Sequence, residues 1–379
     1  MDNELMYVPV FRSKQQEIQV LKSFVFDKNV YPYIEIIKEL DRVSKQSNKE
    51  KQISLFGGEN KKTFESVYGS LIRSISAQKI FIDLPTHLSP DRNMKQESLN
   101  FLRTVISKRE KRTSYLMKLK QYSDKIIPVI SSYLQITGEN DSIYLQAQEL
   151  KKVFPSLAYR IMVATYEQDI SEIIKTIRSK DYIFIDFGEN ILEENDWEAN
   201  DIKDALKDIN VHKIIHRCHI PETITMSSLE HGQRIEKIDN SLPYIYKNIG
   251  GNSFSDFVGI KKDNITNGGV QSPGLIFYDA VENAFFGYRY TYGGHKKGEV
   301  KPDLNEFETT IVPAVLASSS VKRMRAKNLD YLNIQNWGWN ILNKINNGEE
   351  NGKSPAKFKR ISMQHYLHCI QQKMRDQEF

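Results

Sequence analysis

Three carboxylates stand where carboxylates are costly. Glu35 lies in YPYIEI (31–36), Asp83 in KIFIDL (79–84) and Asp186 in YIFIDF (182–187), each within an otherwise apolar run. An ionised carboxylate is expensive to bury without a partner. Recurrence at the same place in three runs points to one shared job. Two chemistries fit: inward acids holding a divalent cation, or an acid/base pair working on a phosphoester or glycosidic bond. In either, Lys14 joins Glu35, Asp83 and Asp186 as a catalytic candidate, and Arg12, Arg217 and Lys261 are candidate phosphate ligands. The structural alternative is ion pairing inside the core, with Lys14, Arg12 or Arg217 as partners.

Other reactive side chains are less specific. His216-Arg217-Cys218-His219 includes a candidate general base, but side chains alternate along a strand, so His216 and Arg217 face opposite sides. Cys218 sits in an apolar run and reads as core. His365 and His368 are three apart on a helical segment and share a face. Asn248 to Asn252 and Tyr292 to Lys297 are Gly-rich turns able to approach a phosphate. There is no HExxH, HxH, GxSxG or GxxxxGK[ST] motif.

The elements that would position these groups recur along the chain. Short apolar runs occupy 7–11, 31–36, 79–84, 125–130, 158–164, 182–187, 212–218 and 257–262, most with a polar residue at or just past the C-terminal end. Helical periodicity separates most of them: 15–24, 63–77 (opened by Thr63), 97–109 with 112–123, 144–154, 169–180 and 197–208. Strands alternating with helices imply parallel pairing through crossovers. Near-continuous apolar runs imply strands covered on both faces. Eight such units predict a closed (β/α)8 barrel over 1–262, with a doubly wound open sheet as the alternative. A barrel of this kind gathers its site at the C-terminal strand ends, which turns the charged residues above into one constellation. A different segment, 263–379, follows: an aromatic hairpin at 274–294, then helices at 304–320, about 322–347 and 358–374.

Composition bounds the rest. A chain of 379 residues, 40% apolar and 27% charged, can build a substantial core. No run approaches the roughly 18 apolar residues of a membrane span, no signal peptide is evident, and two cysteines support no disulfide framework. A cytoplasmic location without membrane association is expected. The net charge of +5 is modest. Basic clusters at 108–112, 322–325 and 357–360, with Arg interleaved among the hairpin aromatics, leave nucleic-acid or nucleotide contact open beside plain solvated helix faces and core packing.

Taken together, Tyr7-Val8-Pro9-Val10 with Lys14 and Glu17, Pro32-Tyr33-Ile34-Glu35, Ile80-Phe81-Ile82-Asp83, Ile127-Pro128-Val129-Ile130, Phe184-Ile185-Asp186, Phe254 to Ile260 and a late His365 helix resemble the bacterial and phage "beta protein" family, named for the middle product of a three-gene satellite-phage cluster. That family's ending pairs its histidines; here Tyr366 and Leu367 separate His365 from His368. The resemblance implies a cytoplasmic protein of phage-defence or mobile-element clusters; the leading hypothesis is a barrel protein that acts with a protein encoded nearby as effector, sensor or neutralising subunit. It assigns no reaction and no catalytic residue. Whether the chain is an enzyme is left open, with a metal-assisted phosphoester or nucleotide chemistry and nucleic-acid binding as alternatives.

Overall fold

A computed structural model of the protein describes residues 4–40, 62–193, 196–261, 265, 274–290 and 303–379. Eight parallel strands close into a barrel: β1 (Tyr7–Arg12), β2 (Tyr33–Glu35), β3 (Ile80–Asp83), β4 (Ile126–Ser131), β5 (Ala158–Met162), β6 (Tyr182–Asp186), β7 (His212–His216) and β9 (Ser253–Asp256), with β9 pairing back onto β1. The intervening strand β8 (Gln233–Arg234) belongs to a separate antiparallel sheet with β10 (Gly274–Asp279) and β11 (Ala284–Arg289). Helices lie between the barrel strands, so the fold is a TIM-barrel-like (β/α)8 with a small sheet and C-terminal helices added.

Both faces of each strand are covered, which is why the runs carry little alternation. Val8, Val10, Tyr33, Phe81, Val129, Ala158, Phe184 and Ile214 fill the barrel interior. Their sequence neighbours Phe11, Ile34, Ile82, Tyr159, Ile183 and Ile215 face out and pack under the helices. Burying each Val, Ile or Phe among them contributes about 1.5–3 kcal/mol. Some helices start at a side-chain cap. Thr63 caps Phe64–Ser74 with a reciprocal capping box: Ser66 N donates to Thr63 Oγ1 (3.2 Å) and Thr63 N to Ser66 Oγ (2.9 Å).

The structure corrects several boundaries. The last barrel strand is Ser253–Asp256, not 257–262. Val258 (φ 55°) and Gly259 (φ 65°) adopt left-handed backbone, which ends extended structure there. A Cβ at Gly259 would lie 2.7 Å from the Tyr366 ring, so glycine is needed for space as well as for angle. The helix expected at 304–320 is a π-helical turn, Phe307–Ile311, running into Val312–Ala317, after which Ser318 accepts from Val321 N (3.2 Å) and starts Ser319–Lys327. The helix expected at 322–347 breaks between Asn328 and Asn336. Each asparagine caps a new start, Asn328 accepting from Asp330 N (2.9 Å) and Asn336 from Trp339 N (3.0 Å). The Gly-rich turn at 248–252 is a packing turn: Gly251 N donates to Tyr246 O (2.8 Å), and a Cβ there would meet Ile215 at 2.5 Å. Tyr292 to Lys297 lie outside the described residues.

The small sheet interlocks with the barrel, because β8 comes from inside the crossover joining β7 to β9. The C-terminal helix, Pro355–Arg375, fastens the two parts together. Its Ser362 donates to Ile276 O (2.7 Å) on β10, its Gln364 donates to Ser23 Oγ (2.8 Å), and Tyr366 donates to Asp256 Oδ2 (2.6 Å) at the end of β9. Tyr7 donates to the other oxygen of that carboxylate (2.7 Å). His365 bridges Asn336 Nδ2 and Tyr278 O, both at 2.8 Å, and stacks on Phe277. His368 pairs with Asp330 O (2.8 Å). The two histidines therefore serve packing and form no common ligand site.

His219 is sandwiched between Phe285 and Tyr366, 2% exposed, with neither ring nitrogen hydrogen-bonded. Burial lowers its pKa to about 4, and burial lowers that of His365 to about 3. Unfolded histidines take up protons below about 6.5. These rings thus leave stability unchanged above that pH and weaken it as pH falls toward 4 and then 3. His219→Phe keeps the stack and removes the orphaned nitrogens. Thermal melts from pH 7 to 4 should show a shallower loss for this variant than for the wild type; parallel curves would refute the assignment.

Candidate functional site

Strand register sets the rim. Arg12, Glu35 and Asp83 are consecutive partners across β1, β2 and β3, and Asp186, His216 and Ser255 are consecutive partners across β6, β7 and β9. All six end or nearly end their strands and share the inward parity of the apolar interior residues. The three carboxylates converge.

They converge on Arg160, an inward residue of β5. Its Nε lies 3.0 Å from Asp186 Oδ2, which Nη2 also contacts. Across the lumen, Nη1 lies 3.1 Å from Asp83 Oδ2, 3.4 Å from Glu35 Oε1 and 3.1 Å from the Tyr33 hydroxyl. Two further arginines complete the pairing. Arg12 Nε donates to Glu35 Oε2 (2.9 Å). Arg112, 0% exposed, reaches in from the helix Arg109–Met117 and gives Nη2 to Asp83 Oδ1 (2.6 Å) and Val129 O (2.8 Å), Nη1 to Gln146 (2.6 Å) and Nε to Leu84 O (2.8 Å). Three buried carboxylates thus face three buried guanidinium groups.

The hydrogen bonds fix protonation. Burial pushes the Glu35 carboxyl up, but Arg12, His87 and Arg160 outweigh it and hold it well below the ordinary range. Burial raises the Tyr33 phenol well above its usual value, so it stays a donor, to Asp83 Oδ2 at 2.8 Å. Ser255 gives its hydroxyl proton to Val8 O (2.6 Å), so its oxygen accepts from His216 Nδ1 (3.0 Å). That places a proton on His216 Nδ1.

Two expected residues, Arg217 and Lys261, stand apart from the cluster. Strand β7 ends at His216, and Arg217 turns away to pair with Asp239. Lys261 donates to Ile224 O (3.0 Å) beyond the last strand. Lys14 is half-buried at the start of the helix Gln15–Ser23, directly after β1. Its neighbour Glu17 accepts from Arg12 N and from Lys359 Nζ (3.3 Å), tying β1 to the C-terminal helix. Cys218 packs in the interior cluster. The basic clusters are partly spent on internal pairing. Arg109 bonds Glu139 (2.7 Å), Arg323 bonds Asp279 (2.6 Å), and Arg360 lies over the Trp337 ring (4.0 Å).

Arg160, Arg112, Tyr33 and His87 are participants that sequence reasoning passed over. Arg160 left the clearest signal: an arginine inside AYRIM is as anomalous as an aspartate inside YIFID. His87, on the loop after β3, places Nε2 3.3 Å from Glu35 Oε1. Glu35, Asp83 and His87 offer ligand atoms within 4.8 Å of one another, enough for a divalent cation by spacing. The chemistry of the set argues against it. Arg160 Nη1 already contacts one oxygen of Glu35 and one of Asp83, and a dication beside guanidinium groups is repelled.

A (β/α)8 barrel with an ion-paired C-terminal rim is the class these features define. The chain belongs to the Beta protein family, whose model matches residues 7–371. No curated protein is significantly similar to it. Among the described residues, no helix is long and apolar enough to cross a membrane.

Removing the central cation should expose the network's role. Arg160→Met leaves three carboxylates short of a partner and should cost about 3–5 kcal/mol in urea denaturation. Adding Asp186→Asn to it should recover part of that loss, because one uncompensated charge is gone. Strict additivity of the two changes would show that they do not share a network.

Proposed function

We propose that this protein is a cytoplasmic component of a phage-defence or mobile-element gene cluster, acting with a partner protein encoded nearby as effector, sensor or neutralising subunit. Its barrel serves as a rigid scaffold. The observation that carries this reading is the charge balance at the rim: each carboxylate that could serve as acid, base or metal ligand is engaged by a buried arginine. A group held this way has its charge fixed and its lone pairs occupied, which suits shape maintenance better than turnover. Membership of the Beta protein family is consistent with the defence setting.

A second reading rests on His87. A partly exposed histidine beside Glu35, with Arg12 and Arg160 at hand, has the parts for acid/base chemistry on a phosphoester or nucleotide, the arginines holding phosphate. Nucleic-acid binding has less support, since arginines of each basic cluster bond within the protein.

The readings separate in cells carrying the gene with its neighbours. Phage plating efficiency should rise when the gene is deleted. It should stay within a few-fold of wild type for Asp186→Asn and His87→Gln variants shown by circular dichroism and abundance to be folded. Folded variants that lose protection completely would favour the enzyme, and a deletion without effect would remove the defence role.

A further inference from the structure

The side of the barrel outside β5 and β6 carries a feature the rim does not explain. The helices Tyr166–Ile174 and Trp197–Ala205 run side by side there, and a groove of about 490 Å³ opens between them. Its apolar floor is made by Tyr166, Ile170 and Ala205, and its walls carry Glu167, Asp201 and Asp204. Helical spacing extends it in both directions. Ile174, one turn beyond Ile170, is 57% exposed, and Trp197, one turn before Asp201, is 71% exposed. At about 1.5 Å per residue, each wall offers roughly 12 Å, or two helical turns.

The charge of this side is opposite to that of the chain. The two helices carry six carboxylates against one lysine, on a protein whose net charge is +5. That lysine, Lys203, is turned away to Asn248 O (2.8 Å). An anionic polymer or anionic lipid surface would be repelled here. An apolar trough flanked by acids complements a helix with an apolar stripe and lysine or arginine on either side, whose stems can lie on the floor while their heads reach the walls.

We infer that this groove docks a basic amphipathic helix of a partner protein. The inference rests on the partner-binding role proposed above and names the surface and the chemistry of what it takes.

The test uses the full-length protein and a fluorescently labelled 18-residue helical Lys/Leu peptide with one apolar stripe, read by anisotropy at physiological ionic strength. A scrambled peptide of the same composition and a Glu/Leu counterpart are the comparisons. The amphipathic basic peptide should bind, shift Trp197 emission to the blue, and outcompete both comparisons. Asp201→Lys with Asp204→Lys should weaken binding at least tenfold, and Trp197→Ala several-fold. Glu97→Lys with Asp124→Lys, at exposed acids elsewhere, should leave it unchanged. No binding, equal binding of the scrambled peptide, or equal loss from the distant pair would overturn the assignment. The peptide assay reads the groove alone and the Asp186→Asn plating assay reads the scaffold role alone, so either can fail without the other.

Discussion

One guanidinium group holds the centre of this barrel. Arg160 projects from β5 into the lumen and reaches acids on β2, β3 and β6, so four of the eight strands meet through a single side chain. Burying any one of these charges alone would cost several kcal/mol. Burying them as a neutral set, with Arg12, Arg112 and Tyr33 supplying further hydrogen bonds, makes the arrangement tolerable and ties it to one geometry. The apolar layers beneath determine that the barrel is packed. The ion network constrains how the strand ends sit relative to one another.

A second set of contacts works on the outside of the wall. Asp256 ends β9 and accepts from Tyr7 and Tyr366, one from the barrel and one from the C-terminal helix. The same helix reaches Glu17 after β1 and the backbone of β10. The closing seam of the barrel, between β9 and β1, is thus buttressed by the last helix. The small sheet is held in the same grip, because its strands come from the chain just before and just after β9. His219 lies inside this buttress as a neutral stacked ring, its role being shape and contact area.

The rim and the outer surface bear on function in opposite ways. The rim has the residue types of an active site, yet it presents them as satisfied pairs. The outer face over β5 and β6 has no such motif, yet it exposes Trp197 and Ile174 beside acids. Under the proposed role, the interior supplies rigidity, and recognition falls to an external surface that the crossover helices build. Basic residues are distributed in the same spirit. Arg112 looks like part of a solvated KREKR run, but among the described residues it is the most buried lysine or arginine.

Much of the architecture was written in local pattern. Apolar runs at regular intervals, polar residues at their ends and helical periodicity between them are short-range signals, and they yield eight parallel strands and a rim where Glu35, Asp83 and Asp186 meet. The hairpin and the final helix were legible for the same reason. What the sequence could not state was partnership across the lumen. Arg112 sits in a charged run that gives no local sign of burial, and although Arg160 stands out inside AYRIM, nothing local names the acids either arginine meets. Arg217 shows the converse: its place beside His216 predicted a rim residue, but the strand stopped one position earlier and turned it toward Asp239. Residue type and period determined where charge would be buried; only closure of the ring decided which opposite charge met it, because that depends on distances set by all eight strands at once.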